Sequence, residues 1–149
     1  MQIMITNSFP PIGEAEVEKF EAKIGAALPA SYRAFLLRHN GGTPAPKRFS
    51  TRDGKVESMV LRLLPLAIPS GDDLINEYDG FTLAKQIPAS MISIGQDPAD
   101  NRILLAISGK FSGSVYYWSW DEEPEPVTCS TKYMRIVADT FDHFLDGLH

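Results

Sequence analysis

The chain has 149 residues, 44% of them hydrophobic and 22% charged; this suits one ordinary globular domain and excludes disorder over most of the length. Its 19 acids against 14 bases leave a formal charge of −5, which argues against a broad nucleic-acid footprint, because that needs a clustered basic face. Cys129 is the single cysteine, so no intramolecular disulfide can form and a reducing compartment is expected.

Residues 1–11 contain no basic side chain, and Gln2, Thr6, Asn7 and Ser8 interrupt their apolar positions. They do not read as a signal peptide. Residues 14–25 then read as a helix with Val17, Phe20 and Ile24 on one stripe. Glu14, Glu16 and Glu18 sit where the helix dipole favours negative charge, and Gly25 ends the helix. A second helix follows. Pro29 suits its first turn, Tyr32, Phe35, Leu36 and His39 fall at i, i+3, i+4 and i+7, and Asn40-Gly41-Gly42 offers residues that tolerate a left-handed C-terminus.

Prolines mark a loop over 43–46. The segments 49–51 and 56–64 flank Arg52-Asp53-Gly54-Lys55, and Asp-Gly between extended runs signals a hairpin, expected to be the first strand pair. After Pro69, Ser70 or Asp72 can cap a helix carrying Leu74, Ile75 and Tyr78, with Gly80 as an interruption. Residues 91–95, 102–108 and 114–120 read as three consecutive strands, and the turn chemistry between them favours an antiparallel meander. An acidic, proline-bearing loop over 121–126 precedes a short edge strand at 127–130, and a closing helix starts near Ala138 with Phe141, Phe144, Leu145 and Leu148 as its stripe. The longest apolar run, 59–68, contains Arg62 and Pro65 and is too short to span a membrane.

The residues 28–42, the helix before them, Ser93-Ile94-Gly95 with Asp97, the strand from Asn101, Gly113-Ser114-Val115-Tyr116-Tyr117-Trp118 and the closing Phe141-Asp142-His143-Phe144-Leu145 together resemble the SUKH superfamily. That superfamily includes yeast cell-wall regulators of the Smi/Knr-like family and many bacterial immunity proteins. The resemblance runs over nearly the whole chain. It implies a protein-binding module, and in many members one that neutralises a cognate toxin, often a nuclease.

Catalytic and cofactor motifs are missing or fail on inspection. Gly109-Lys110 is followed by Phe111 and has Leu104 at the upstream glycine position, so no phosphate-binding loop forms. Ser112 lacks the G-x-S-x-G context of a nucleophile elbow. His39, His143 and His149 lie far apart in sequence, and neither a H-E-x-x-H nor an EF-hand pattern occurs. Asp97, Asp100 and Asn101 read as an acidic turn in preference to a calcium loop, His39 as a hydrogen-bonded core or boundary histidine, and Cys129 as a buried thiol. We expect no cofactor and no metal.

The remaining chemistry is acidic and aromatic. Asp72, Asp73, Glu77 and Asp79 form one dense group and Asp121, Glu122 and Glu123 another, in polar settings where ionised acids are comfortable and a raised catalytic pKa is not expected. Tyr116, Trp118 and Trp120 share one strand face, and Val115 and Tyr117 the other. If Val115 and Tyr117 pack inward, the tryptophan face is partly exposed and offers interface anchors beside the acidic loop. If the tryptophans are core, Tyr117 lines the surface instead; Trp118, standing mid-strand, is the one favoured for the core.

The expected architecture is a single α+β domain over 1–149, with an antiparallel-rich central sheet and with the N-terminal helical hairpin and C-terminal helix mainly on one side. The expected function is that of a cytoplasmic immunity protein occluding a basic toxin domain through Asp72, Asp73, Glu77, Asp79, Tyr116, Trp120, Asp121, Glu122 and Glu123. A regulatory scaffold domain without a toxin partner is the alternative. Neither nucleic acid nor membrane is expected as a partner.

Overall fold

The computed structural model describes residues 3–69, 71–123 and 131–149. Its first helices form where the apolar stripes predict them. Helix α1 (Glu14–Ile24) buries Val17, Phe20 and Ile24, and Gly25 ends it at φ 72° with its N–H on the Glu21 carbonyl. Helix α2 (Ala30–Arg38) begins directly after Pro29 and buries Tyr32, Phe35 and Leu36. Glu21 ties the pair together: it accepts from the Leu28 N–H at 2.7 Å and lies 3.3 Å from Arg33, which also reaches Glu14 at 2.7 Å.

The end of α2 differs from expectation. His39 already has extended backbone, and Asn40 forms no left-handed cap. The buried Asn40 side chain instead donates to the carbonyls of Pro10 and Leu66, each at 2.9 Å, and accepts from the Leu66 N–H at 2.8 Å. Gly41, at φ 70°, packs so tightly that a Cβ would stand 2.7 Å from the Leu63 carbonyl oxygen, and Gly42 exchanges two main-chain hydrogen bonds with Leu63. Asn40-Gly41-Gly42 is thus a buckle between α2 and the sheet. Only glycine combines that φ with so close a backbone approach.

The first strand pair also comes earlier than the predicted hairpin. Strand β1 (Met4–Thr6) pairs antiparallel with β2 (Thr43–Ala45). The predicted hairpin follows as β3 (Arg48–Ser50) and β4 (Glu57–Met59). The run 56–64 does not stay one strand. Val60 donates to Lys47, Leu61 turns to Gln96, and β5 (Arg62–Leu63) joins the central sheet.

In the hairpin turn Asp53 accepts from the Lys55 N–H at 3.0 Å and the Thr51 hydroxyl at 2.7 Å, while Gly54 adopts φ 72°. Those bonds, with Arg135 2.7 Å away, hold the Asp53 carboxyl at about 2, below its ordinary 3.8. A depressed folded pKa contributes stability that is present above the unfolded value and lost as pH falls through the folded one. The urea midpoint of the protein should therefore approach that of Asp53→Asn between pH about 4 and about 2, and a constant gap over that window contradicts the assignment.

The central sheet runs β5-β6-β7-β8-β9, all antiparallel, with β6 (Met91–Gln96), β7 (Arg102–Ala106), β8 (Val115–Trp118) and β9 (Met134–Ala138). The meander β6 to β8 is the one predicted. Strand β9 is not: no element is predicted over 134–137, and Ala138 ends this strand where the closing helix is expected to start; that helix, α4 (Phe141–Asp146), starts only after Thr140, whose hydroxyl accepts from the His143 N–H at 3.1 Å. The predicted strand at 127–130 and Cys129 lie outside the described residues.

Helices α1, α2 and α4 cover one sheet face. Phe20, Tyr32, Phe35, Phe141 and Phe144 meet Ile92, Ile94, Ile103, Leu105, Val115 and Tyr117 there. The Tyr32 and Phe141 rings stand edge to face at 5.1 Å, a preferred aromatic geometry. On the opposite face Ile87, Met91, Leu104 and Trp118 form a second, smaller cluster. The segment between β5 and β6 covers it: helix α3 (Leu74–Glu77), capped by Asp73 in place of the expected Ser70 or Asp72, passes into a π-helical turn (Tyr78–Leu83) that absorbs Gly80. The fold is α+β with antiparallel sheets. Among the described residues no helix is long and apolar enough to cross a membrane.

Candidate functional site

Strand β8 resolves the two alternatives for its aromatic residues in an unexpected way, because both faces are covered. Val115 and Tyr117 enter the main core, and Trp118, fully buried, centres the smaller cluster with Phe81 edge-on at 5.6 Å. Tyr116 and Trp120 are half-buried at the border of that cluster, beside Tyr133 and Met134. Trp120 begins a short 3-10 turn (Trp120–Glu122), and its indole N–H donates to the Asp100 carbonyl. The ring is therefore held in one orientation at the surface.

The acidic residues divide into structural and exposed groups. Glu77 was expected on a solvated face, yet only 10% of its side chain is exposed. It accepts from the Ser93 hydroxyl at 2.5 Å and from Arg102 at 2.9 Å. Burial alone pulls the Arg102 guanidinium down, but the charge of Glu77 and the hydrogen bonds to Asp100 and Glu77 outweigh it and raise its pKa above the ordinary value. Arg102 also stacks on Phe81 with its guanidinium carbon 5.0 Å from the ring centroid. A buried acid survives there because a buried base meets it.

Two further expected surface acids are structural as well. Asp73 is buried and caps α3 by accepting from the Asn76 N–H at 2.9 Å. Glu123 is buried and accepts from the Trp118 indole at 2.9 Å, which satisfies the one polar atom of the largest core residue. Neither is free to meet a partner, so Asp73, Glu77 and Glu123 leave the expected docking set. Asp72 and Asp79 are exposed, and Asp79 pairs with Lys23 of α1 at 3.2 Å.

Asp121 and Glu122 remain exposed next to Trp120, and the structure adds Asp100 to them. The Asp100 carboxylate receives Arg102 at 2.8 Å yet stays 66% exposed. The Asp121 N–H donates to Asn101 at 3.4 Å, so the turn between β6 and β7 and the turn after β8 are joined. A continuous path Ser93–Glu77–Arg102–Asp100–Trp120 thus links the two acidic groups that looked separate in sequence. Arg102 is the residue that sequence reasoning missed. A charged side chain opening the otherwise apolar run Ile103-Leu104-Leu105-Ala106-Ile107 was the available signal.

In the turn 97–101 it is Asp97 that does not stand open to a cation. Asp97 is buried and accepts from the N–H groups of Ala99 and Asn101, from Ser58 at 2.9 Å and from Tyr117 at 2.5 Å. Burial, then the bond to Asp97, pushes the Tyr117 phenol up to about 12. Among the described residues no group of three or more His, Cys, Asp or Glu side chains could hold a metal ion. Ser31, His39, Asp142 and Asp146 border one shallow groove, and among the described residues no side-chain hydrogen bond joins them. His39 packs instead on Phe35, ring centroids 5.8 Å apart.

Residues 11–147 match the family model described as the SMI1 / KNR4 family (SUKH-1), a span that runs from the approach to α1 through α4. No curated protein matches the chain.

Proposed function

This chain belongs to the SMI1/KNR4 family (SUKH-1), and on that premise we propose that it is a cytoplasmic immunity protein that binds a cognate toxin domain and neutralises it by occlusion. The family is known broadly for immunity and regulatory roles. The observation that carries the reading is Trp120, fixed by the Asp100 carbonyl and flanked by the exposed carboxylates of Asp100, Asp121 and Glu122. A prepositioned tryptophan loses little freedom on binding and makes a strong interface anchor. Carboxylates around it favour a basic partner, such as the polyanion-binding cleft of a nuclease, and speed its approach by steering.

Co-expression with any toxin domain encoded beside this gene is the direct test: restored growth supports immunity, and failure of rescue by every such toxin favours a regulatory scaffold. The interface has its own readout. The double substitution Asp121→Lys with Glu122→Lys is expected to slow association about tenfold or more at low salt, with the deficit shrinking as ionic strength rises. Unchanged association kinetics remove this surface from the interface. Both side chains are exposed, so the double variant should fold normally.

A further inference from the structure

A groove of about 440 Å³ lies between β1, α2 and α4, and it shares no residue with the Trp120 surface. Ile3 and Ile5 from the β1 side, Phe35 from α2 and Leu145 from α4 supply its apolar lining. We propose that this groove, together with the outer edge of β1, binds an extended segment of a partner protein that places an aliphatic side chain against that lining and a basic side chain beside Asp142 and Asp146.

The main chain of β1 is the first argument. It is the outer strand of a two-stranded sheet, and among the described residues no strand pairs its other edge. Exposed edges are ordinarily protected by a charge, a proline or a bulge. Strand β1 reads Met-Ile-Thr, residues 3–13 carry no charged side chain, and Met4 is 67% exposed. Such an edge accepts a further strand through main-chain hydrogen bonds, with alternate side chains read by adjoining pockets. Ile3 and Ile5 line the groove while Met4 lies exposed between them, so an added strand is placed to set every second side chain beside the groove. A helical segment satisfies its own main chain and leaves the edge of β1 open, which is why the occupant is extended.

The rim supplies the charge argument. Asp142 and Asp146 stand on α4 at i and i+4, both exposed, and among the described residues neither forms an ion pair. Two uncompensated carboxylates at one wall favour a lysine or arginine. Arg38 at the wall formed by α2 is likewise without an ion pair among the described residues, and a carboxylate further along the segment suits it. Strand β1 also lies ahead of the family match at 11–147, so this wall of the groove is not part of the matched pattern.

The test is a titration of the isotope-labelled full chain with a capped heptapeptide of alternating leucine and lysine, followed by NMR. Shifts are expected at Ile3, Ile5, Phe35 and Leu145. Binding should weaken about tenfold when alternate peptide nitrogens are methylated, which removes strand hydrogen bonds while leaving the side chains in place. The double substitution Asp142→Asn with Asp146→Asn should weaken it about threefold or more and flatten its salt dependence. Neither readout requires a change in the core. Absence of groove shifts at millimolar peptide, equal binding of the methylated peptide, or concentration-dependent self-association that shifts β1 without peptide each overturns the proposal. Toxin rescue by the Asp142/Asp146 variant should be unaffected, which keeps this test separate from that of the Trp120 surface.

Discussion

Replacing Glu77 by alanine should cost the fold about 3–5 kcal/mol, because it leaves Arg102 charged and buried without its main partner. Arg102 has 9% of its side chain exposed and approaches Glu77 at 2.9 Å. Asp100 remains after the substitution, but it stands mostly in solvent, where its attraction is screened. The Ser93 hydroxyl also loses its acceptor. The informative comparison is the double substitution Glu77→Leu with Arg102→Met, which removes both charges together. It should return to within about 1 kcal/mol of the parent or exceed it, since buried pairs often break even against apolar residues of similar size. Urea unfolding followed by tryptophan fluorescence measures both variants. A single substitution costing under about 1 kcal/mol contradicts the buried pairing. The double variant should also loosen Trp120, because Arg102 bonds the carbonyl of Asp100 that accepts the indole N–H.

Asn40→Ala should cost about 3 kcal/mol or more, since it strips partners from three main-chain groups at once. The Leu66 N–H and the carbonyls of Leu66 and Pro10 all depend on the Asn40 amide, and Leu66 is 1% exposed. Nothing else in the hydrogen bonding of the described residues replaces it. Asn40→Asp keeps the acceptor for the Leu66 N–H, loses both donated bonds and buries a charge, so it should recover none of the loss. Equal urea midpoints for the parent and Asn40→Ala contradict the buckle. Fraying measured by amide exchange should concentrate at the end of α2 and at β5, the two elements that the buckle joins.

The helical hairpin was legible because Val17, Phe20 and Ile24, and then Tyr32, Phe35 and Leu36, repeat at the helix period and bury as a set. The Asp53-Gly54 hairpin and the meander from Met91 to Trp118 were legible because turn chemistry is local. Strand β9 was not. Most of its residues are half-buried, so no clean alternation marks it, and it exists because β8 offers a pairing edge. Strand β1 is three residues long and leaves no periodic trace.

The candidate site was legible as composition and only partly as geometry. Trp120, Asp121 and Glu122 stand at the surface beside one another. Glu123, one residue further, turns inward to Trp118, and Glu77 turns inward to an arginine 25 positions away.

By itself the amino-acid sequence determined the local periods, the turns, the acidic balance and membership of a recognisable family, because each is carried by neighbouring residues or by a pattern along the chain. Only the tertiary structure decided which carboxylates face water, that both sides of β8 are covered, and that Asn40-Gly41-Gly42 joins elements instead of capping one. The physical reason is that a buried polar group is tolerated only where a distant partner meets it, and no spacing along the chain announces that meeting.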